Sequence, residues 1–219
     1  MRGVPKPRKV GNLMALAVLS ALTQRPMHPY EIATVLRGWG KDDDMEIKWG
    51  SLYTVVRNME KHGLIAAVES VREGRRPERT VYRITDSGRE EMVDWARELV
   101  STPVQERPRF RAGLSVLAVL HPDEATRLLR QRLDLLDDGI AAARDALTRH
   151  ARTVPRLFLV ESEYDLALQE AEAAWVRALL TELTSGTYPG LDVWRTVHET
   201  GVMPPELTEL AEGAAGAQE

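Results

Sequence analysis

Apolar residues run almost unbroken through "LMALAVLSAL", residues 13 to 22, a stretch without a single charge. Ten residues fall far short of the roughly 18 a membrane span needs, so the run predicts a buried helix. In "RPMHPYEIATVLRGWG", Pro26 and Pro29 end one helix and open the next, since proline suits a first helical turn. Ile32, Val35 and Leu36 give that second helix its inward face, and Gly38 or Gly40 stops it. "KDDDME" at 41 to 46 reads as a solvated acidic connection. "WGSLYTVVRNMEKHGLI" follows, with Leu52, Val55, Val56 and Met59 at the spacing of one buried helical face. Ser51 is placed to cap this third helix, and Gly63, after His62, to close it in a left-handed conformation.

The period then shifts towards two. "LIAAVESVRE" and "RTVYRIT" are β-branched and roughly alternating, and they flank a tip of Gly74, Arg75, Arg76 and Pro77. They predict a two-stranded hairpin. "TDSGREEMVDWARELV" opens a fourth helix, with Thr85 or Asp86 as cap. Met92, Val93, Trp95, Ala96, Leu99 and Val100 give it a broad apolar surface. "STPVQERP", residues 101 to 108, is the expected linker.

Beyond the linker the pattern is helical throughout. "FRAGLSVLAVL" predicts a short apolar helix, and Pro122 opens a long one in which Leu129, Leu133, Leu136, Ile140, Ala143 and Leu147 form a heptad seam. Pro155 breaks the pattern. A last long helix should turn Leu157, Val160, Tyr164, Leu168, Ala171, Trp175, Leu179 and Leu183 inward, with "TYPGLDVW" as a packed turn after it. The seam either closes within the chain against residues 157–183 or pairs two chains, and an intermolecular contribution is expected. The final helix is apolar over an arc wide enough to serve both its own chain and a partner.

The predicted fold is therefore mainly α. A basic arm (1–12) precedes a winged helix-turn-helix (13–85) with a two-stranded wing and a connecting helix (86–102). An all-α dimerisation domain (103–203) and a disordered tail (204–219) complete the chain. Charge sharpens the division. Up to residue 90 there are 16 Lys/Arg against 11 Asp/Glu, and beyond it 13 against 22, so any polyanion belongs at the front. The absence of cysteine excludes disulfides and thiolate metal sites and suits a cytoplasmic protein. The basic N-terminus lacks the apolar core of a secretion signal, and no membrane association is expected.

Candidate chemistry is sparse. His28, His62, His121, His150 and His198 form no HxH or HxxxH pair, so no metal site is expected. No phosphate-binding loop, dinucleotide fingerprint or nucleophile elbow occurs; neither catalysis nor a cofactor is expected. The third helix is different. With its apolar face buried, it exposes Ser51, Tyr53, Thr54, Arg57, Asn58 and Lys61, side chains able to reach base edges or phosphates in a major groove. A solvated face alone would look similar. Arg72, Arg75, Arg76 and Arg79 around the hairpin tip, where packing needs no cations, favour DNA.

These residues resemble the PadR family of bacterial transcriptional regulators. The resemblance rests on "LAVLSAL", "MHPYEIATVL", "GSLYTVVRNMEKHGLI" and "GRRPERTVYRITDSGRE", in the family's order and spacing over residues 13 to 90. The back half is similar, more loosely, to the family's longer helical C-terminal domain. Pro29 stands where the family usually has Gly, and the wing "GRRPERT" departs from the commoner form with Lys and aromatics. The resemblance implies a homodimer on a near-palindromic operator, typically a repressor, some members being released by a small molecule. The DNA-facing candidates carried across are Ser51, Tyr53, Thr54 and Arg57, with Arg75, Arg76 and Arg79 on the wing. Lys48 and Tyr30 are counted with them, although Tyr30 equally suits packing between helices.

For the dimer, the expected residues are Met92, Trp95 and Leu99 on the fourth helix and Leu129, Leu133, Leu136, Ile140 and Leu147 on the seam. Met92, Trp95 and Leu99 could also line an effector pocket, as could Tyr164 and Trp175, but packing is the stronger reading of both groups. Two other functions stay open, a winged-helix protein-interaction module and a non-specific DNA binder.

Overall fold

In a computed structural model of the chain, the uncharged run forms α1 (Leu13–Leu22), opened by Asn12, whose side chain accepts from the Met14 amide. Residues 8–41, 45, 48–71, 79–106 and 108–205 are described. Eight of the ten α1 residues are buried, and each large one contributes about 1.5–3 kcal/mol by leaving water. Around α1 lie α2 (Pro29–Gly38) and α3 (Leu52–Lys61), the latter entered through a single 3-10 turn, Trp49–Ser51. Pro29 occupies the first turn of α2, as its ring demands. The cap before it is His28, which accepts from the Tyr30 amide while Glu31 accepts from the His28 amide.

The chain then makes β1 (Ile65–Val71) and β2 (Arg79–Ile84), paired antiparallel from Ile65↔Ile84 to Val71↔Arg79, with a bulge between Ala67 and Glu69. The hairpin base is tied to the helices. Met27 and Tyr82 exchange two backbone hydrogen bonds of 3.0 Å, and Ile65, Tyr82 and Ile84 enter the core around α1. Next comes α4 (Asp86–Ser101). Thr85 caps it, accepting from the Gly88 amide at 3.0 Å and donating to the Gly63 and Leu64 carbonyls.

The chain divides between Gln105 and Glu106 into two compact units. In the second, α5 (Arg109–Ser115) and a 3-10 turn precede α6 (Pro122–His150), and another 3-10 turn leads to α7 (Val160–Ser185) and α8 (Leu191–Thr200). Helices α6 and α7 pack as a hairpin around Leu129, Val176, Leu180 and Leu183, braced by Arg132–Glu172, Arg144–Glu170 and Arg177–Asp137 ion pairs.

Three sequence expectations are corrected. Ser51 does not cap α3. Its backbone is already helical, and its hydroxyl donates back to the Lys48 carbonyl at 2.8 Å, because the 3-10 turn precedes it. On α6, Leu129 and Ile140 are buried and Leu133, Leu136 and Leu147 half-buried, with Leu129 and Leu133 packed in the core shared with α7. The inward face of α7 is Ala173, Val176, Leu180 and Leu183. Of the expected set only Leu183 is fully buried; Leu157, Val160, Tyr164, Leu168, Ala171 and Trp175 are exposed. Two apolar stripes compete on that helix, and the more aromatic one lost. Finally, "TYPGLDVW" includes the start of α8, flanked by Gly190 and Gly201 at positive φ. Leu191 is buried, and Trp194 donates to the Leu120 carbonyl.

Candidate nucleic-acid interface

The exposed face of α3 follows from the packing of the helix. Leu52, Val55, Val56 and Met59 are buried, which fixes the helix's rotation and turns Tyr53, Thr54, Arg57, Asn58 and Lys61 to solvent. Tyr53 is 53% exposed, unusual for a tyrosine with no packing role. Lys48 is exposed before the 3-10 turn, whereas Ser51 is half-buried with its hydroxyl engaged. Thus Tyr53, Thr54 and Arg57 share one open face, and Ser51 offers less than its sequence position implied. At the far end, His62 caps α3 and Gly63 takes φ +72, the conformation that only glycine adopts cheaply. That turn sends the chain directly into β1.

Tyr30 resolves in favour of exposure. It sits in the first turn of α2 with 68% of its surface open, so it does not pack between helices. Of the wing cations, Arg75 and Arg76 lie outside the described residues, as do Arg72, Gly74 and Pro77. Arg79 is described by its backbone alone, as the first residue of β2 opposite Val71. Also outside are Asp42–Asp44, the arm up to residue 7 and the tail beyond Pro205.

On α4, Trp95 is buried to 5% within the core of the first unit, with Met92 packed against it. Leu99 and Val93 on the same helix remain exposed. A cavity of about 240 Å³ opens beside it, lined by Arg8, Gly11, Leu13, Trp95, Glu98 and Leu99 together with Thr102 and Val104. Trp95 and Leu99 are therefore brought together at a pocket, and Met92 is not part of its wall.

Arg8 is the residue that sequence reasoning missed. It was counted in a basic arm, yet its side chain is 5% exposed and clamps α4. It donates to Glu91 at 2.6 Å and to Glu98, lies 3.7 Å from Asp94, and places its guanidinium 5.2 Å from the Trp95 ring centroid. Burial pulls its pKa down, but the hydrogen bonds and charges of Glu91 and Glu98 more than offset this, and the pKa is raised. The available signal was the row of acids Glu91, Asp94 and Glu98 at helical spacing beside Trp95.

In the second unit, His121 and His198 meet edge to face at 5.6 Å. Among the described residues, no group of three His, Asp or Glu side chains is placed to hold a metal ion, and no helix is long and apolar enough to cross a membrane.

Residues 18–94 match the transcriptional regulator PadR-like family. Among solved structures, the chain is similar to Bacillus subtilis PadR in complex with operator DNA, at 17% identity over 78% of this chain and 99% of that one, with a TM-score of 0.65. The same protein in complex with p-coumaric acid matches at 17% identity over 78% and 99%, with a TM-score of 0.62. The Vibrio cholerae virulence activator AphA matches at 18% identity over 78% and 98%, with a TM-score of 0.57. No curated protein matches the chain. The structural likeness is one of fold, a winged helix followed by C-terminal helices, and the family match falls on the helices and hairpin described above. Over residues 18–94, the chain is similar to the transcriptional regulator PadR-like family.

Proposed function

We propose that this chain is a sequence-specific DNA-binding regulator acting as a homodimeric repressor on an inverted-repeat operator. The observation that carries the reading is the division of α3, whose four apolar side chains are buried while Tyr53, Thr54 and Arg57 stand open opposite them. An α-helix fits the major groove, and an arginine there forks onto a guanine edge or clamps a phosphate. Arg75, Arg76 and Arg79 serve as the wing's phosphate or minor-groove cations, with Lys48 and Tyr30 flanking the reader.

The dimer contact is assigned to the stripe that α7 leaves open, Val160, Tyr164, Leu168 and Trp175. Four large apolar side chains in one row are costly to leave in water, and a second copy would cover them. In the first unit, Val93 and Leu99 on α4 are likewise exposed apolar side chains. The cavity beside Trp95 and Leu99 is the proposed effector site. Its size suits a small aromatic molecule, the class to which the p-coumaric acid bound by the Bacillus subtilis relative belongs.

Hydroxyl-radical footprinting of the chain on its own promoter fragment tests this reading. A dimer predicts two protected half-sites on one face, centred about 10–10.5 base pairs apart or a multiple of it. Uniform weak protection along the fragment would replace the operator reading with non-specific binding.

A further inference from the structure

The N-terminus of α3 lacks the restraint that usually fixes a helix's entry. Ser51, the residue in the capping position, makes no side-chain bond to the helix, and its hydroxyl turns back to the Lys48 carbonyl. What holds this end is the residue two places earlier. Trp49 is half-buried against the core around α1, and its carbonyl accepts from the Leu52 amide, the first residue of α3. On the ring of Trp49 lies the guanidinium of Arg37, 4.3 Å from the ring centroid, reaching across from the last turn of α2. A planar guanidinium stacked on indole is a directional contact that lysine does not reproduce.

We propose that Arg37 and Trp49 are the positioning pair of the recognition helix. Their stack couples the end of α2 to the start of α3 and so sets the angle at which Tyr53, Thr54 and Arg57 are presented. Neither residue belongs to the DNA-facing set, and the pair acts through that set. Its bearing on specificity rests on the operator reading above; the coupling between the two helices does not.

The test uses the full chain in four forms: parent, Arg37→Ala, Trp49→Leu and the double variant. Each is titrated against promoter and scrambled duplexes over a salt series, and each is followed by amide hydrogen exchange. Arg37→Ala should cut the preference for the promoter by about two- to five-fold, the size expected of one exposed cation–π contact. The salt dependence should stay unchanged, and the double variant should be no worse than Trp49→Leu alone. Exchange at Ser51 and Leu52 should quicken by a similar factor while α1 stays protected.

A salt slope reduced by about 0.9, with equal loss on both duplexes, would make Arg37 a phosphate contact and overturn the positioning role. Additive losses, or unchanged exchange at Ser51 and Leu52, would overturn it as well. If the parent shows no promoter preference, the operator reading fails by itself, and the exchange data alone decide whether the stack positions α3.

Discussion

Among the described glycines, Gly88 has the tightest surroundings, and its size is dictated there. A Cβ at this position would lie 2.0 Å from the Leu64 carbonyl oxygen, which Thr85 also uses to anchor the start of α4. Gly88→Ala must therefore push α4 off the start of β1, and we expect a loss of about 1–3 kcal/mol, measured as a lower thermal midpoint. Arg8 is a second single-residue anchor. Arg8→Met keeps much of the packing on Trp95 but strands Glu91 and Glu98, so denaturant titration should show a loss of about 1–3 kcal/mol, the scale of hydrogen bonds to charged groups. Glu31 supplies a pH dependence. The backbone amide of His28, and then Arg25, hold its carboxyl below the ordinary carboxylate range against the opposing effect of burial. A depressed pKa means stability that is present near neutrality and lost as pH falls through the folded value. The parent should thus lose more stability than Glu31→Gln below about pH 4.3, as thermal melts across an acid series would show.

At the scale of the element, the sequence was most legible where one period ruled. Leu52, Val55, Val56 and Met59 named the buried face of α3 because nothing else on that helix is apolar enough to compete except Tyr53, and Tyr53 is exposed. The hairpin and the glycine after His62 were equally plain, since each answers a local backbone need, while the cap of α4 was narrowed to Thr85 or Asp86. Legibility failed where tertiary choice decided. Both faces of α7 are apolar, and only the position of α6 selects Ala173, Val176, Leu180 and Leu183 over Val160, Tyr164, Leu168 and Trp175. Ser51 has the chemistry of a cap but lost the role to a 3-10 turn whose presence depends on Trp49 finding the core. Arg8 could not be read from a basic arm, because its partners lie more than eighty residues away. The open stripe on α7 carries its own prediction. Leu168→Glu should shift the chain from dimer to monomer in sedimentation while leaving its helical circular dichroism intact. A variant that sediments as the parent would remove this stripe from the dimer contact.

For the whole molecule, the uneven charge matters more than its total. The chain carries a net charge of -4, yet the surplus of Lys and Arg sits before residue 91, where the winged helix lies. Phosphate contacts release counterions, so a dimer engaging roughly 6–10 phosphates should lose about 10³–10⁵-fold in affinity between 50 and 200 mM salt. Sequence reading must survive that loss if the exposed face of α3 touches bases. The most direct measurement is a fluorescence-anisotropy titration of the full chain, and of Arg57→Ala, against its own promoter fragment and a scrambled duplex at two salt concentrations. The account predicts tighter binding to the promoter at both, with about 1–3 kcal/mol of that preference lost in Arg57→Ala. Equal binding of parent and variant to both duplexes would contradict the claim that this helix reads DNA.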